Sequence, residues 1–163
     1  MKSLLVIRHA KSSWDNTEQK DFDRPLNARG HRDAPEMASR LLKKNIVIDA
    51  FIASTANRAF STAGYFADAY QVAHSAIIRV PALYHAGVPV FYDVVKGADN
   101  AFDTIAIFSH NPGITDFVNT LTPSTRIDDM PTCAIFAVQT DITDWKDFQT
   151  AVKRFWFFDY PKA

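Results

Sequence analysis

Cysteine is nearly absent. Cys133 is the only one in 163 residues, so the chain can form no internal disulfide. That usage fits a reducing compartment. Net charge is absent too. Lys+Arg and Asp+Glu balance at 18 each, so no overall field draws nucleic acid or an anionic membrane, and any anion site has to be local. Long apolar runs are missing. Only Leu4-Leu5-Val6-Ile7 separates Ser3 from Arg8-His9, too little for the apolar centre of a signal peptide, and no run reaches the length that spans a bilayer. Repeats, low-complexity tracts and domain linkers are also lacking. The expectation is one domain over residues 1–163, cytoplasmic, acting on neither nucleic acid nor membrane.

What is present begins with that short run. Four apolar residues, two of them β-branched, read as a strand buried on both faces. Arg8-His9 follows at once. In open α/β sheets, ligands collect beyond the carboxyl ends of the strands. An arginine fork there can hold two phosphate oxygens, and a neutral imidazole is a nucleophile at physiological pH.

The segment from Ser12 to Leu26 has no apolar period, and Pro25 turns Arg24 away from helix. It reads as a long loop over the end of the first strand, with Trp14 and Phe22 expected to pin it. Asn27 is placed to cap a helix running to about Lys44, with Ala34, Met37, Ala38, Leu41 and Leu42 on its apolar face. Pro35 within it predicts a kink or a late start. Residues 49–53 form a second strand. Ser54-Thr55 is then read as the cap of a helix from Ala56 to about Tyr70, with Phe60, Ala63, Phe66, Ala67 and Tyr70 buried. Arg58 falls in its first turn, where the helix dipole disfavours a cation by some tenths of a kcal/mol. A phosphate bound at that helix start would resolve the conflict; a surface carboxylate would as well.

A short third strand is read at 77–80, a helix from Pro89 to about Gly97, and a fourth strand at 104–108. Ser109-His110-Asn111-Pro112-Gly113 follows, repeating the opening order of strand, histidine and helix start. Gly113 is expected to let the backbone approach a ligand. Two further strands, 134–138 and 152–158, lack an obvious crossover helix between them. The fold class is therefore α/β, a three-layer α/β/α sandwich with a mostly parallel, mixed sheet.

Three strand ends thus carry Arg8-His9, Arg58 and His110. Together they supply what phosphoryl transfer to an imidazole needs: positioning and stabilisation of spread negative charge. Arg8 and Arg58 can grip oxygens bidentately, and His110 can donate a hydrogen bond or, as imidazolium, add charge. A backbone carbonyl on His9 Nδ1 would leave Nε2 facing phosphorus.

Arg8-His9-Ala10, Ser54-Thr55 with Arg58-Ala59 and Thr62-Ala63, and Ser109-His110-Asn111-Pro112-Gly113 resemble the histidine phosphatase (phosphoglycerate mutase-like) superfamily. The stretches 8–14 and 21–30 resemble its SixA-type phosphohistidine phosphatase branch. The resemblance covers Leu4 to about Gly113. It implies a phosphoglycerate mutase-like fold and a phosphohistidine intermediate on His9. Arg8, Arg58 and His110 would complete the phosphate pocket, and Arg24 and Asn111 would lie at the substrate. It implies no metal and no other cofactor.

The chain departs from the wider pattern at the proton donor. Tyr84 is followed by His85 rather than a glutamate, and Asn111 stands where others carry an aspartate. Asp21 and His85 are the candidate substitutes. A site without a strong acid suits a phosphorus–nitrogen bond, because an alkoxide needs a proton to leave and a phosphorylated imidazole can already carry one. A phosphohistidine-containing protein is the expected substrate, and a small phosphomonoester is the alternative. A phosphate-binding module would not need His9. A metal hydrolase built on His9, His85 and His110 would set a cation beside arginines.

Overall fold

The computed structural model describes residues 1–162. Ten regular elements build it: β1 (Lys2–Arg8), α1 (Ala28–Lys43), β2 (Ala50–Ala53), α2 (Asn57–Ala69), β3 (Ile78–Arg79), α3 (Val88–Lys96), β4 (Thr104–Ser109), α4 (Gly113–Leu121), β5 (Ile135–Thr140) and β6 (Arg154–Asp159). The strands form one sheet in the order β3-β2-β4-β1-β5-β6. The first four strands run parallel, and β5 and β6 run antiparallel to their neighbours. The mixed sheet is as expected: among the described residues only a 3-10 turn at 145–147, and no α-helix, lies between β5 and β6.

Strand side chains alternate between faces, and β1 shows why its apolar run is unbroken. Leu5 and Ile7 join the core beneath α1 and α2, with Met37, Leu41 and Phe66. Leu4 and Val6 join the opposite core beneath α3 and α4, with Phe91, Phe117 and Trp145. Both faces are covered, so the architecture is three-layered. No helix among the described residues is long and apolar enough to cross a membrane.

Several local expectations need correction. The α1 helix starts at Ala28, directly after Asn27, whose side chain accepts from the Gly30 amide. Pro35 therefore delays nothing. The cap of α2 is Ala56, without a side-chain bond, rather than Ser54-Thr55. Phe60 and Tyr70 are only half-buried. Gly113 is required for a different reason from the one inferred: a Cβ there would run into the Ala86 carbonyl. The close approach is between α4 and the turn before α3, not with a ligand.

The aromatics of the loop from Ser12 to Leu26 hold it at the surface rather than in the core: Trp14 is 68% exposed and Phe22 37%, and Phe22 meets the Tyr84 ring edge-on with centres 5.2 Å apart. Polar contacts add to this. Ser12 bridges to Leu26, residues 21–23 form a 3-10 turn, and the Arg24 guanidinium donates to Ser12 Oγ. Trp14 lies over that guanidinium, 3.4 Å from ring centre to Cζ, as a lid on the cation rather than a core residue.

Candidate active site

Sheet register brings the two histidines together. Arg8 on β1 pairs with Ser109 on β4, and the His9 amide donates to the Ser109 carbonyl at 3.1 Å. The residues just beyond both strands therefore emerge side by side, with the His9 and His110 ring centres 5.2 Å apart. On the other flank of β4, Ala53 pairs with Phe108, which sets Ser54 next to His110. Arg58 follows on the first turn of α2. One cavity of about 400 Å³ is lined by Arg8, His9, Arg24, Arg58, His110 and Asn111, together with Asp21 and His85. All the residues singled out from the sequence thus share one hollow.

His9 is locked in one tautomer. Its Nδ1 lies 2.7 Å from the Ala10 carbonyl, which can only accept, so Nδ1 carries the proton and Nε2 keeps a lone pair. The Ala10 amide donates to Thr62 Oγ1 at 2.9 Å, and that hydroxyl donates to the Arg58 carbonyl at 2.8 Å. Thr62 thus ties the turn after β1 to the first turn of α2. Burial, with His110, Arg58 and Arg8 nearby, pushes the His9 pKa down to about 3. The imidazole is neutral at pH 7, as a nucleophile must be.

His110 Nε2 lies 2.8 Å from Ser54 Oγ, whose oxygen also accepts from the Ala56 amide at 3.3 Å. Burial first, and Arg58 second, push its pKa down to about 3. At that value His110 is neutral at pH 7 in the free protein. It remains a hydrogen-bond donor through whichever nitrogen holds the proton.

The depressed values make a prediction about stability. Above pH 6.5 both imidazoles are neutral whether folded or unfolded, and they contribute no pH dependence. Between 6.5 and about 3 only the unfolded chain takes up their protons. Stability should therefore fall with decreasing pH by roughly 1.4 kcal/mol per unit for each histidine. Urea unfolding at pH 7, 6 and 5 would test this, and His9→Ala and His110→Ala should each flatten the profile.

The arginines are held without being fully spent. Arg8 Nη1 donates to the Met130 carbonyl at 2.7 Å. Arg58 is 6% exposed, and it donates to the Asp21 carbonyl at 2.7 Å and to Asp21 Oδ2 at 3.0 Å. The negative partner its helix position demands is therefore a carboxylate of the long loop. Arg24 Nη1 reaches Asp21 Oδ1 at 3.3 Å. Among the described residues, five buried side-chain N or O atoms lack a partner: Nε of Arg8, Arg24 and Arg58, Nδ1 of His110, and Thr122 Oγ1. Four of the five belong to residues that line this cavity. Buried polar groups are almost always paired, so the cluster marks a place shaped for an acceptor-rich guest.

Asn111 lines the same cavity, and its side-chain amide is engaged by the protein. Its Nδ2 donates to Asp129 Oδ1 at 2.7 Å and to the Met130 carbonyl at 3.2 Å, and its Oδ1 accepts from Thr115 Oγ1 at 2.6 Å. The amide is committed to the loop that also receives Arg8. Tyr84, not assigned a role from the sequence, donates to Asp21 Oδ2 at 2.6 Å. That bond, then the Arg58 contact, holds the Asp21 carboxyl below its ordinary pKa. His85 is exposed at the rim with left-handed backbone, φ 57°. Cys133 is fully buried, and its thiol is pushed up by burial, so it is core rather than a nucleophile.

A doubly wound sheet with two histidines and two arginines at its carboxyl edge defines a class of phosphoryl-handling proteins, and sequence comparison agrees. Residues 4–90 match the histidine phosphatase superfamily (branch 1), and the chain belongs to that family. The solved protein histidine phosphatase SixA complexed with tungstate has the same fold. It is 22% identical, with 98% of this chain and 97% of that one aligned and a TM-score of 0.83. A protein from Agrobacterium tumefaciens described as a SixA phosphohistidine phosphatase is 21% identical, with 98% of each chain aligned and a TM-score of 0.80. A mycobacterial glucosyl-3-phosphoglycerate phosphatase is more distant, 14% identical, with 100% of this chain and 99% of that one aligned and a TM-score of 0.66. An uncharacterized chloroplastic protein of Arabidopsis thaliana is 36% identical over 61 residues, 37% of this chain. This chain spans 28% of that relative's length.

Proposed function

We propose that the protein is a phosphatase that removes the phosphoryl group from phosphohistidine on another protein, through a covalent phosphohistidine on His9. The observation that carries this reading is the set of buried, unpaired Nε–H donors of Arg8, Arg24 and Arg58 around a neutral imidazole with its proton on Nδ1. Phosphoryl oxygens are the acceptors those donors lack. The tungstate in the SixA structure, a tetrahedral oxyanion, supports the same reading.

In the proposed cycle His9 Nε2 attacks phosphorus, and the bond to the leaving group breaks with its electron pair. Arg8, Arg58 and His110 stabilise the charge on the equatorial oxygens. Nδ1 keeps its proton against the Ala10 carbonyl, so the phosphorylated ring is held as the cation. Water then attacks phosphorus, and His9 departs as a neutral imidazole. The Tyr84 and Arg58 hydrogen bonds favour the ionised form of the Asp21 carboxyl, which counts against it as a proton donor. That leaves His85 as the candidate donor for an ester leaving group.

A small-molecule phosphomonoesterase is the second reading. The similar fold of the glucosyl-3-phosphoglycerate phosphatase supports it. Against it stand the lack of a buried acid and the open rim at Trp14. Rates on a phosphorylated histidine-containing domain and on a panel of sugar and nucleotide phosphates separate the two. Proton donation is worth about a hundred-fold or more, so the phosphoprotein should be preferred by about that factor. A preference for any ester would overturn the protein-substrate reading.

A further inference from the structure

We propose that the Asp21 carboxylate accepts the ring N–H of the departing imidazole, and so selects phosphorus–nitrogen over phosphorus–oxygen substrates. The inference rests on the phosphohistidine reading and assigns the residue behind that preference. A carboxylate at the mouth of a phosphate pocket is paradoxical, since it repels the anion the pocket is built to hold. Asp21 is nevertheless fixed there by three elements. Tyr84 reaches it from the turn before α3 at 2.6 Å, Arg58 from α2 at 3.0 Å, and Arg24 from its own loop at 3.3 Å. The other titratable or charged groups lining the same cavity are Arg8, His9, Lys11, His85 and His110. Its side chain is still 42% exposed and lines the cavity. Tyr84 and Arg58 occupy Oδ2, whereas Oδ1 has only the long Arg24 contact, so Oδ1 has accepting capacity left.

An ester leaving oxygen brings lone pairs to this carboxylate and is repelled. A phosphorylated imidazole brings the reverse. Its far ring nitrogen carries a proton, and the ring carries positive charge. With that N–H held by Asp21, His9 Nε2 forms its bond to phosphorus while the substrate's P–N bond breaks. The electron pair of that bond returns to the substrate ring, which leaves as neutral imidazole with its proton still on the far nitrogen. No proton moves during transfer, and no acid is required. Asp21 is thus a hydrogen-bond acceptor for the leaving group, not the proton donor considered from the sequence.

The test compares kcat from pH 6 to 9 on phosphoimidazole and on 4-nitrophenyl phosphate, for the wild-type chain, Asp21→Asn and Tyr84→Phe. Phosphoimidazole isolates the chemistry from protein docking. The alkaline limb of kcat reports the proton on the bound substrate ring. Asp21→Asn should lower the phosphoimidazole rate by roughly ten- to a hundred-fold, the size of a charge-assisted hydrogen bond. That fall should exceed the fall on the aryl ester by about ten-fold, and the alkaline limb should move down by about one pH unit. Tyr84→Phe should move the limb the other way, because it frees a lone pair on the carboxylate. It gives an independent reading if Asp21→Asn fails to fold. Equal falls on both substrates with unmoved limbs would overturn the inference and leave Asp21 as an anchor for Arg58. Wild-type protein inert on phosphoimidazole and on a phosphohistidine protein would overturn the functional reading itself, before any variant is compared.

Discussion

His9→Ala is expected to lower turnover by about 10⁴-fold or more while the protein still melts cooperatively. The activity loss follows from removing the group proposed to form the covalent intermediate; among the described residues of the cavity, only the His9 ring is oriented by a backbone carbonyl. The stability argument is separate. The backbone of His9 does the structural work, its amide donating to Ser109 and its carbonyl accepting from Cys133 at 3.0 Å. Alanine keeps both bonds. The side chain contributes one hydrogen bond, to Ala10, worth about 1 kcal/mol. Rates and thermal melts on the same preparation check both halves. Retained turnover in a folded variant would remove His9 from the chemistry.

Arg58→Ala is expected to reduce kcat/KM by roughly a hundred- to a thousand-fold, the usual loss when one group that stabilises transition-state charge is removed. The inhibition constant of inorganic phosphate should rise about ten-fold or more, and Arg58→Lys should restore little, since an ammonium cannot reproduce the fork. Its effect on stability should be small. The variant relieves a cation at the positive end of α2, but it also gives up the buried contacts with Asp21. Asp21 is left with water, Arg24 and Tyr84. A loss of more than about 3 kcal/mol would mean that Arg58 is chiefly structural.

How much of this was legible in the chain depends on which interaction carried the information. The apolar run of β1 and its one later repeat, β4 followed by His110, mark the fold and the site, because burial on both faces leaves a pattern that periodicity reads directly. Arg58 was flagged by a local conflict, a cation in a helix's first turn, and the conflict was real. Its partner was not legible, since Asp21 lies 37 residues away and meets it only through the loop's path. The partner of Trp14 was not legible, since an indole in a loop carries no sign that it will lie over the Arg24 guanidinium. The Met130 carbonyl that holds Arg8 is a backbone atom and carries no residue signature. The partners of the Asn111 amide, Asp129, the Met130 carbonyl and Thr115 of α4, carry no signal in its place beside His110. Gly113 was read correctly as a close approach and assigned the wrong partner, because spacing announces the contact without saying what comes near.

The account stands or falls on one covalent bond. Rapid quenching of the protein with a phosphorylated histidine-containing domain, followed by peptide mapping under alkaline conditions, should find an acid-labile phosphoryl group on His9. The label should rise and decay at rates matching turnover. Steady release of phosphate with no label on His9 at any time, or with the label on another residue, would contradict it.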